Sequence, residues 1–183
     1  MQFSPGAEIF QDDSRIYQNI SRKVIECEET MRYVTMAFIF YDKRLLVVLH
    51  KKIGKWLHVG GHLESDEDFE ESLFREIKEE TGLTVKIVKT YANDLHEQFF
   101  IKEENFEAKP LIMPFFIHKT ITPKTKEIIF DYICMADSDK IKLKKEELVE
   151  YKWISQKEIN SLDSFPLWKK LAIKAFEAYE KFK

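Results

Sequence analysis

The sequence predicts an α/β domain in which a mixed β-sheet is sandwiched between α-helices, with an extra helix ahead of it. Three observations carry this expectation. Runs of β-branched and aromatic residues recur between positions 33 and 154 and are separated by turn-forming residues. A strongly amphipathic stretch interrupts them at 65–81, and Ser164-Phe165-Pro166 opens a final helix. No repeat, low-complexity stretch or linker divides residues 1–183, so a single domain is expected.

The elements follow in order. Residues 12–31 read as a helix that Asp12, Asp13 or Ser14 can cap. Ile16, Ile20, Val24 and Cys27 recur on one face of it. That face has two destinations, the main domain or a second subunit, the latter making a homodimer; residues 1–32 are thus an N-terminal helical extension. Residues 33–41 and 44–50 form a hairpin around Asp42-Lys43. A short segment, 56–59, closes on Gly60-Gly61. Residues 65–81 form a helix with Ser65 and Asp68 as an acidic capping box, a buried stripe of Phe69, Leu73 and Ile77, and Gly82 as a left-handed C-terminal cap.

Residues 83–91 read as a strand and 93–110 as a long functional loop or hairpin. Strands over 111–119 and 127–136 are linked by a turn around Pro123, and 149–154 is the last strand. Ser155 and Glu158 open a short helix with a capping box, and the terminal helix runs to about residue 179.

Composition excludes several classes. With 183 residues, 44% of them apolar, the chain can bury a proper core. The net charge of −3 is wrong for a general nucleic-acid binder, and lysines are interleaved with acids, as in Lys144-Lys145-Glu146-Glu147, which reads as solvated surface. The two cysteines lie far apart and make neither a disulfide framework nor a zinc motif; Cys134, in the run Ile133-Cys134-Met135-Ala136, reads as core. The first residues lack the pattern of a signal peptide, and no stretch is long and apolar enough to span a membrane, so a cytoplasmic protein without a membrane partner is expected.

The chemistry concentrates in 60–83. Glu76, Glu79 and Glu80 stand at i, i+3 and i+4, so a helix places them on one face. Three close carboxylates repel one another, and a hard cation such as Mg²⁺, Mn²⁺ or Ca²⁺ relieves that repulsion. Zinc is disfavoured because no cysteine is near. Gly60-Gly61 permits close backbone approach and a carbonyl ligand. Asp131 interrupts the apolar run 128–133 and needs a partner, either by lining the cleft or by capping a neighbouring backbone group.

Gly61, Glu67, Arg75, Glu76, Ile77, Glu79, Glu80, Gly82 and Leu83 together resemble the Nudix box, Gly-x5-Glu-x7-Arg-Glu-U-x-Glu-Glu-x-Gly-U, with U a bulky aliphatic, and fill every defined position. The stretch 147–159 is similar to the final strand and helix of many Nudix domains. The resemblance implies a Nudix fold and hydrolysis of a phosphoanhydride in a small-molecule nucleotide, a nucleoside diphosphate linked to a group X, with Mg²⁺ as cofactor and Mn²⁺ able to substitute.

The resemblance also implies roles. Glu79 and Glu80 are the principal metal ligands, Glu76 is a further ligand or a base, and the Gly60 carbonyl completes the set. Arg75 is the structural arginine of the catalytic group, pairing with Glu67 or another box acid. Apart from the resemblance, His58 and His62 flank the glycines and, with Gly61, are placed to reach a phosphate, and Phe99, Phe100 or Trp56 to stack on a base. The base is Glu76 or an acid outside the box, from Asp94, Glu97, Glu103, Glu104 and Asp131.

Where many members carry Pro and Pro-Gly, this chain has Val59 and Ser65-Asp66, at undefined positions. Residues 95–100 lack the proline of ADP-ribose hydrolases and the tyrosine of dinucleoside polyphosphate hydrolases, so X stays open. Two rivals share the fold. A non-catalytic nucleotide sensor would carry a degenerate box, and this one is intact. An isopentenyl-diphosphate isomerase needs a cysteine in the cleft, for which Cys27 and Cys134 are poorly placed.

Overall fold

The computed structural model describes residues 31–89, 101–103 and 106–182. The chain partitions into two compact units, Met1–Thr30 and Met31–Lys183, and only the second is described. The expected N-terminal helix with Cys27 lies outside the described residues, as do Asp94, Glu97, Phe99, Phe100 and Glu104 and the side chain of Glu103.

Strands β1 (Arg32–Tyr41) and β2 (Arg44–His50) form an antiparallel hairpin. Asp42 and Lys43 both take positive φ, 44° and 60°, the mirror-image turn whose twist matches that of the strands it joins. Strand β3 (Trp56–Leu57) pairs with β2, and β4 (Val59–His62) runs straight through both glycines to pair with β1. Next come β5 (Val85–Ile87), a separate hairpin of β6 (Ile101–Glu103) and β7 (Phe106–Ala108), then β8 (Phe116–Ile121), β9 (Lys126–Ala136) and β10 (Leu148–Ile154).

The main sheet has the order β10-β2-β1-β9-β5, with β3, β4 and β8 attached beside it. The β1–β9 pair is parallel and its other pairs antiparallel, which makes the sheet mixed. Strand β8 starts at Phe116, later than the sequence predicts. Pro110 and Pro114 have no N–H to give to a ladder, and the Ile112 N–H is taken by Glu70 Oε1 at 2.6 Å.

Helices α1 (Phe69–Thr81) and α2 (Pro166–Phe182) cover opposite faces of the sheet. Alternate residues of β1 serve the two cores, as the period of two in a strand requires. Ala37 and Ile39 pack with Leu73 and Ile77 of α1, while Phe38 and Phe40 pack with Trp168, Ala172 and Phe176 of α2. Cys134 is a free, wholly buried thiol on the α1 side, and burial pushes its pKa up.

Helix α1 begins four residues after Ser65. Asp68, not Ser65, is its N-cap: the Asp68 carboxylate accepts the N–H groups of Glu70 and Glu71 at 2.9 Å each, and Glu71 returns a bond to the Asp68 N–H at 2.9 Å. Gly82 closes the helix at φ 72°. The predicted short helix is a 3₁₀ turn, Gln156–Ser161, with Glu158 accepting from the Ser155 N–H at 2.8 Å. Among the described residues no helix is long and apolar enough to cross a membrane.

Candidate functional site

Helix α1 lies under β4 so that the two glycines rest on its carboxylates. Gly60 has a φ of +148°, a conformation side chains rarely adopt, and a Cβ there would run into the Thr35 carbonyl oxygen and the Met36 Cα. A Cβ on Gly61 would occupy the space of the Glu76 carboxylate. The pair therefore forms a cradle that only glycine leaves open.

The three box glutamates differ in surroundings. Glu80 is 2% exposed, and its Oε2 accepts the Gly60 N–H at 3.2 Å. Burial pushes its carboxyl up to about 8, with the charge on Glu76 adding to the rise and the Gly60 N–H opposing it. Glu76 is partly buried, and burial raises its pKa too, against the pull of Arg75. Glu79 is the most open, with 45% of its side chain exposed, 3.8 Å from Arg75 and 3.3 Å from Lys144.

Arg75 organises this face. Its Nε donates to Glu67 Oε1 at 2.5 Å and its Nη2 to Glu67 Oε2 at 3.0 Å. Nη1 donates to Glu76 Oε1 at 2.9 Å, and Nη2 also reaches the His62 carbonyl at 3.1 Å. These bonds, the one to Glu67 first, raise the guanidinium pKa, and Arg75 holds the Glu67 carboxyl below the usual range.

The side chains of Glu76, Glu79 and Glu80 and the Gly60 carbonyl are hard oxygen donors, a set that suits Mg²⁺ or Mn²⁺. The missing side chains at Gly60 and Gly61 let Glu76 and Glu80 come directly against the strand backbone. Among the described residues, however, no three His, Cys, Asp or Glu side chains converge into a ready-made cage. The glutamates are instead engaged by Arg75, Gly60 and Lys144.

The histidines stand apart from that face. The His62 ring points to Glu127 at 3.3 Å, and it is the His62 backbone carbonyl that meets Arg75. His58 turns into the core, its ring centroid 4.5 Å from that of Phe38, and its Nε2 lies 2.7 Å from Asp131 Oδ1. Asp131 is fully buried. His118 Nδ1 lies 3.1 Å from its other oxygen but off the line of a hydrogen bond. Burial alone would raise the Asp131 carboxyl; the two histidines outweigh it and hold the group below the usual range. Among the described residues the Asp131 side chain thus meets histidines and caps no backbone group, and strand alternation with Tyr132 and Cys134 turns it away from α1 and the box glutamates. Trp56 is buried in the core, with Lys152 Nζ 4.3 Å from the centre of its ring.

Lys144 and Glu147 are neighbours of the acidic face that the sequence reading missed. The run 144–147, expected to be solvated, places Lys144 against Glu79, and Glu147 adds to the negative field on Glu76 and Glu80. The pair Lys144 and Glu79 is 65 positions apart, beyond any helical or strand spacing.

The NUDIX domain model matches residues 30–176. A hydrolase of the NUDIX family from Clostridium perfringens superposes with a TM-score of 0.69 at 26% identity, covering 80% of this chain and 97% of that one. The MutT protein from Methanosarcina mazei Go1 superposes with a TM-score of 0.58 at 21% identity, covering 85% and 99%, and so shares the fold. By sequence, the oxidized purine nucleoside triphosphate hydrolase of Danio rerio is 27% identical over 93 residues, 44% of this chain; the match spans 60% of that relative's length. With its box intact, its helix seated against the glycine pair and the domain match running over most of its length, the chain belongs to the NUDIX domain family.

Proposed function

We propose that this protein is a Mg²⁺-dependent pyrophosphohydrolase, with Mn²⁺ able to substitute, that cleaves a phosphoanhydride bond in a nucleoside diphosphate linked to X. The observation that carries this reading is the seating of Glu76 and Glu80 directly against Gly61 and Gly60, with no side chain between.

Glu76, Glu79, Glu80 and the Gly60 carbonyl hold the cation in this reading. When bound, it offsets the charge of the diphosphate and acidifies water. Where Glu76 is instead the base, its carboxylate, held by Arg75 beside Gly61, accepts the proton of the attacking water. Arg75 orients Glu76 while anchored on Glu67, and the bare backbone at Gly61 lets a phosphate approach. The likeness to the Danio rerio relative makes oxidised purine nucleoside triphosphates the first substrates to assay.

The test is a panel of nucleoside triphosphates, oxidised and unmodified, with nucleotide sugars, ADP-ribose and dinucleotides, assayed with Mg²⁺ and Mn²⁺. Turnover of at least one should collapse in Glu79→Gln and Glu80→Gln variants that keep their circular dichroism. Metal-dependent release that persists in both variants overturns the assigned site, and tight nucleotide binding with no turnover marks a sensing module instead.

A further inference from the structure

Lys144 stands where a cation is wanted. Its Nζ lies 2.9 Å from Glu147 Oε1 and 3.3 Å from Glu79 Oε2, bridging a carboxylate of its own turn and one of α1. The Lys144 N–H donates to the Glu80 carbonyl at 2.9 Å, which pins the backbone of this loop to the last turn of α1. The hydrogen bond from Lys144 holds the Glu147 carboxyl below the usual range.

The two cations on Glu79 are not equivalent. Arg75 is tied to Glu67, Glu76 and the His62 carbonyl and cannot leave without dismantling the face. Lys144 carries a compact charge on a flexible stem that is 31% exposed, so its ammonium can swing into water while its backbone stays fixed.

We propose that Lys144 is a built-in counter-cation of the acidic face, holding Glu79 and Glu147 together in the metal-free protein and giving up Glu79 when a divalent cation binds. The proposal rests on reading Glu79 as a metal ligand. Its consequence is a competition: the ammonium quiets the repulsion among the glutamates and in doing so weakens the site for metal.

Mn²⁺ titration of the metal-free protein, following the electron paramagnetic signal of free Mn²⁺, tests this without any substrate. Lys144→Ala should bind Mn²⁺ about fivefold tighter than wild type, the scale of one unit-charge contact near 4 Å in water. Lys142→Ala, in the same loop, controls for general charge and should stay within about twofold because a charge off the face is screened. Acylation of Lys144, followed by mass spectrometry, should quicken when Mn²⁺ is added to wild type. Equal tightening in the two alanine variants, no tightening in Lys144→Ala, or a Lys144 acylation rate indifferent to Mn²⁺ overturns the proposal. Failure of the metal-site reading is distinguishable: wild type would then bind no Mn²⁺, or Glu79→Gln and Glu80→Gln would bind it as well as wild type, and both readings fall together.

Discussion

Arg75 grips Glu67 with two nitrogens, Nε at 2.5 Å and Nη2 at 3.0 Å, and places its third nitrogen on Glu76. A guanidinium can do this because its fork matches the two oxygens of one carboxylate and leaves a donor over. The loop ahead of α1 is thereby tied to the middle of the helix, and the Glu76 carboxylate is held beside Gly61.

Lysine cannot make that grip. Arg75→Lys keeps the charge but loses the bidentate bond and the reach to the His62 carbonyl. Turnover should fall about 10- to 100-fold, the usual cost of losing a group that orients a metal ligand. The expected cause is misplacement, so circular dichroism should be unchanged while kcat falls. Wild-type kcat in the Arg75→Lys protein removes Arg75 from the catalytic group.

The two glycines make opposite predictions. At Gly60 an alanine meets backbone and a φ that side chains avoid, so Gly60→Ala should lose about 1–3 kcal/mol from the strained φ alone. At Gly61 the obstacle is the Glu76 carboxylate, the end of a side chain that can turn away. Gly61→Ala should melt close to wild type in a urea titration and lose most of its turnover. Equal effects of the two substitutions on stability would mean that the cradle has no special relation to Glu76.

Sequence periodicity made the fold and the acidic face legible. Glu76, Glu79 and Glu80 sit within one helix, and the alternation in β1 separates Phe38 and Phe40 from Ala37 and Ile39 without any tertiary information. The helix start was harder, because Ser65 and Asp68 each offer a cap. Tertiary contacts favour the second: Lys109 reaches Asp68 at 2.5 Å and Arg75 holds Glu67. Least legible was the grouping of His58, His118 and Asp131. They come from separate strand regions and meet only through sheet register, with Asp131 opposite Met36 of β1 and Phe116 of β8, and Met36 opposite Gly60 of β4.

Asp131 is a stability group in this arrangement, since a buried carboxylate persists only when paired. Asp131→Ala strands the buried His58 ring nitrogen and should cost about 2–3 kcal/mol in a urea melt at neutral pH. The native carboxyl is held below its ordinary value, so its contribution is present above the unfolded pKa, about 4, and is lost as pH falls through the lower folded one. The gap between wild type and Asp131→Ala should therefore narrow in acid. A gap that widens there would mean that Asp131 is not an ionised partner of the histidines.

Glu80 has the opposite sign. Its folded carboxyl titrates near 8 because burial disfavours the charge, while in the unfolded chain an ordinary glutamate titrates near ~4.3. Below the lower value both states are protonated and nothing is lost. Between the two values the unfolded state ionises while the folded one keeps its proton, so each step up in pH favours unfolding until about 8. Glutamine carries no such proton. The melting temperature of metal-free Glu80→Gln should thus gain on that of wild type steadily from about pH 4.5 to about pH 8, and then hold level. Taking the difference between the two proteins cancels titrating groups that do not feel Glu80, Asp131 among them, while Glu76, whose charge acts on Glu80, shares in the trend. Saturating Mg²⁺ should erase the trend by stabilising the Glu80 carboxylate. Parallel melting curves across that range would show that Glu80 keeps an ordinary pKa and that its burial beneath Gly60 is relieved in solution.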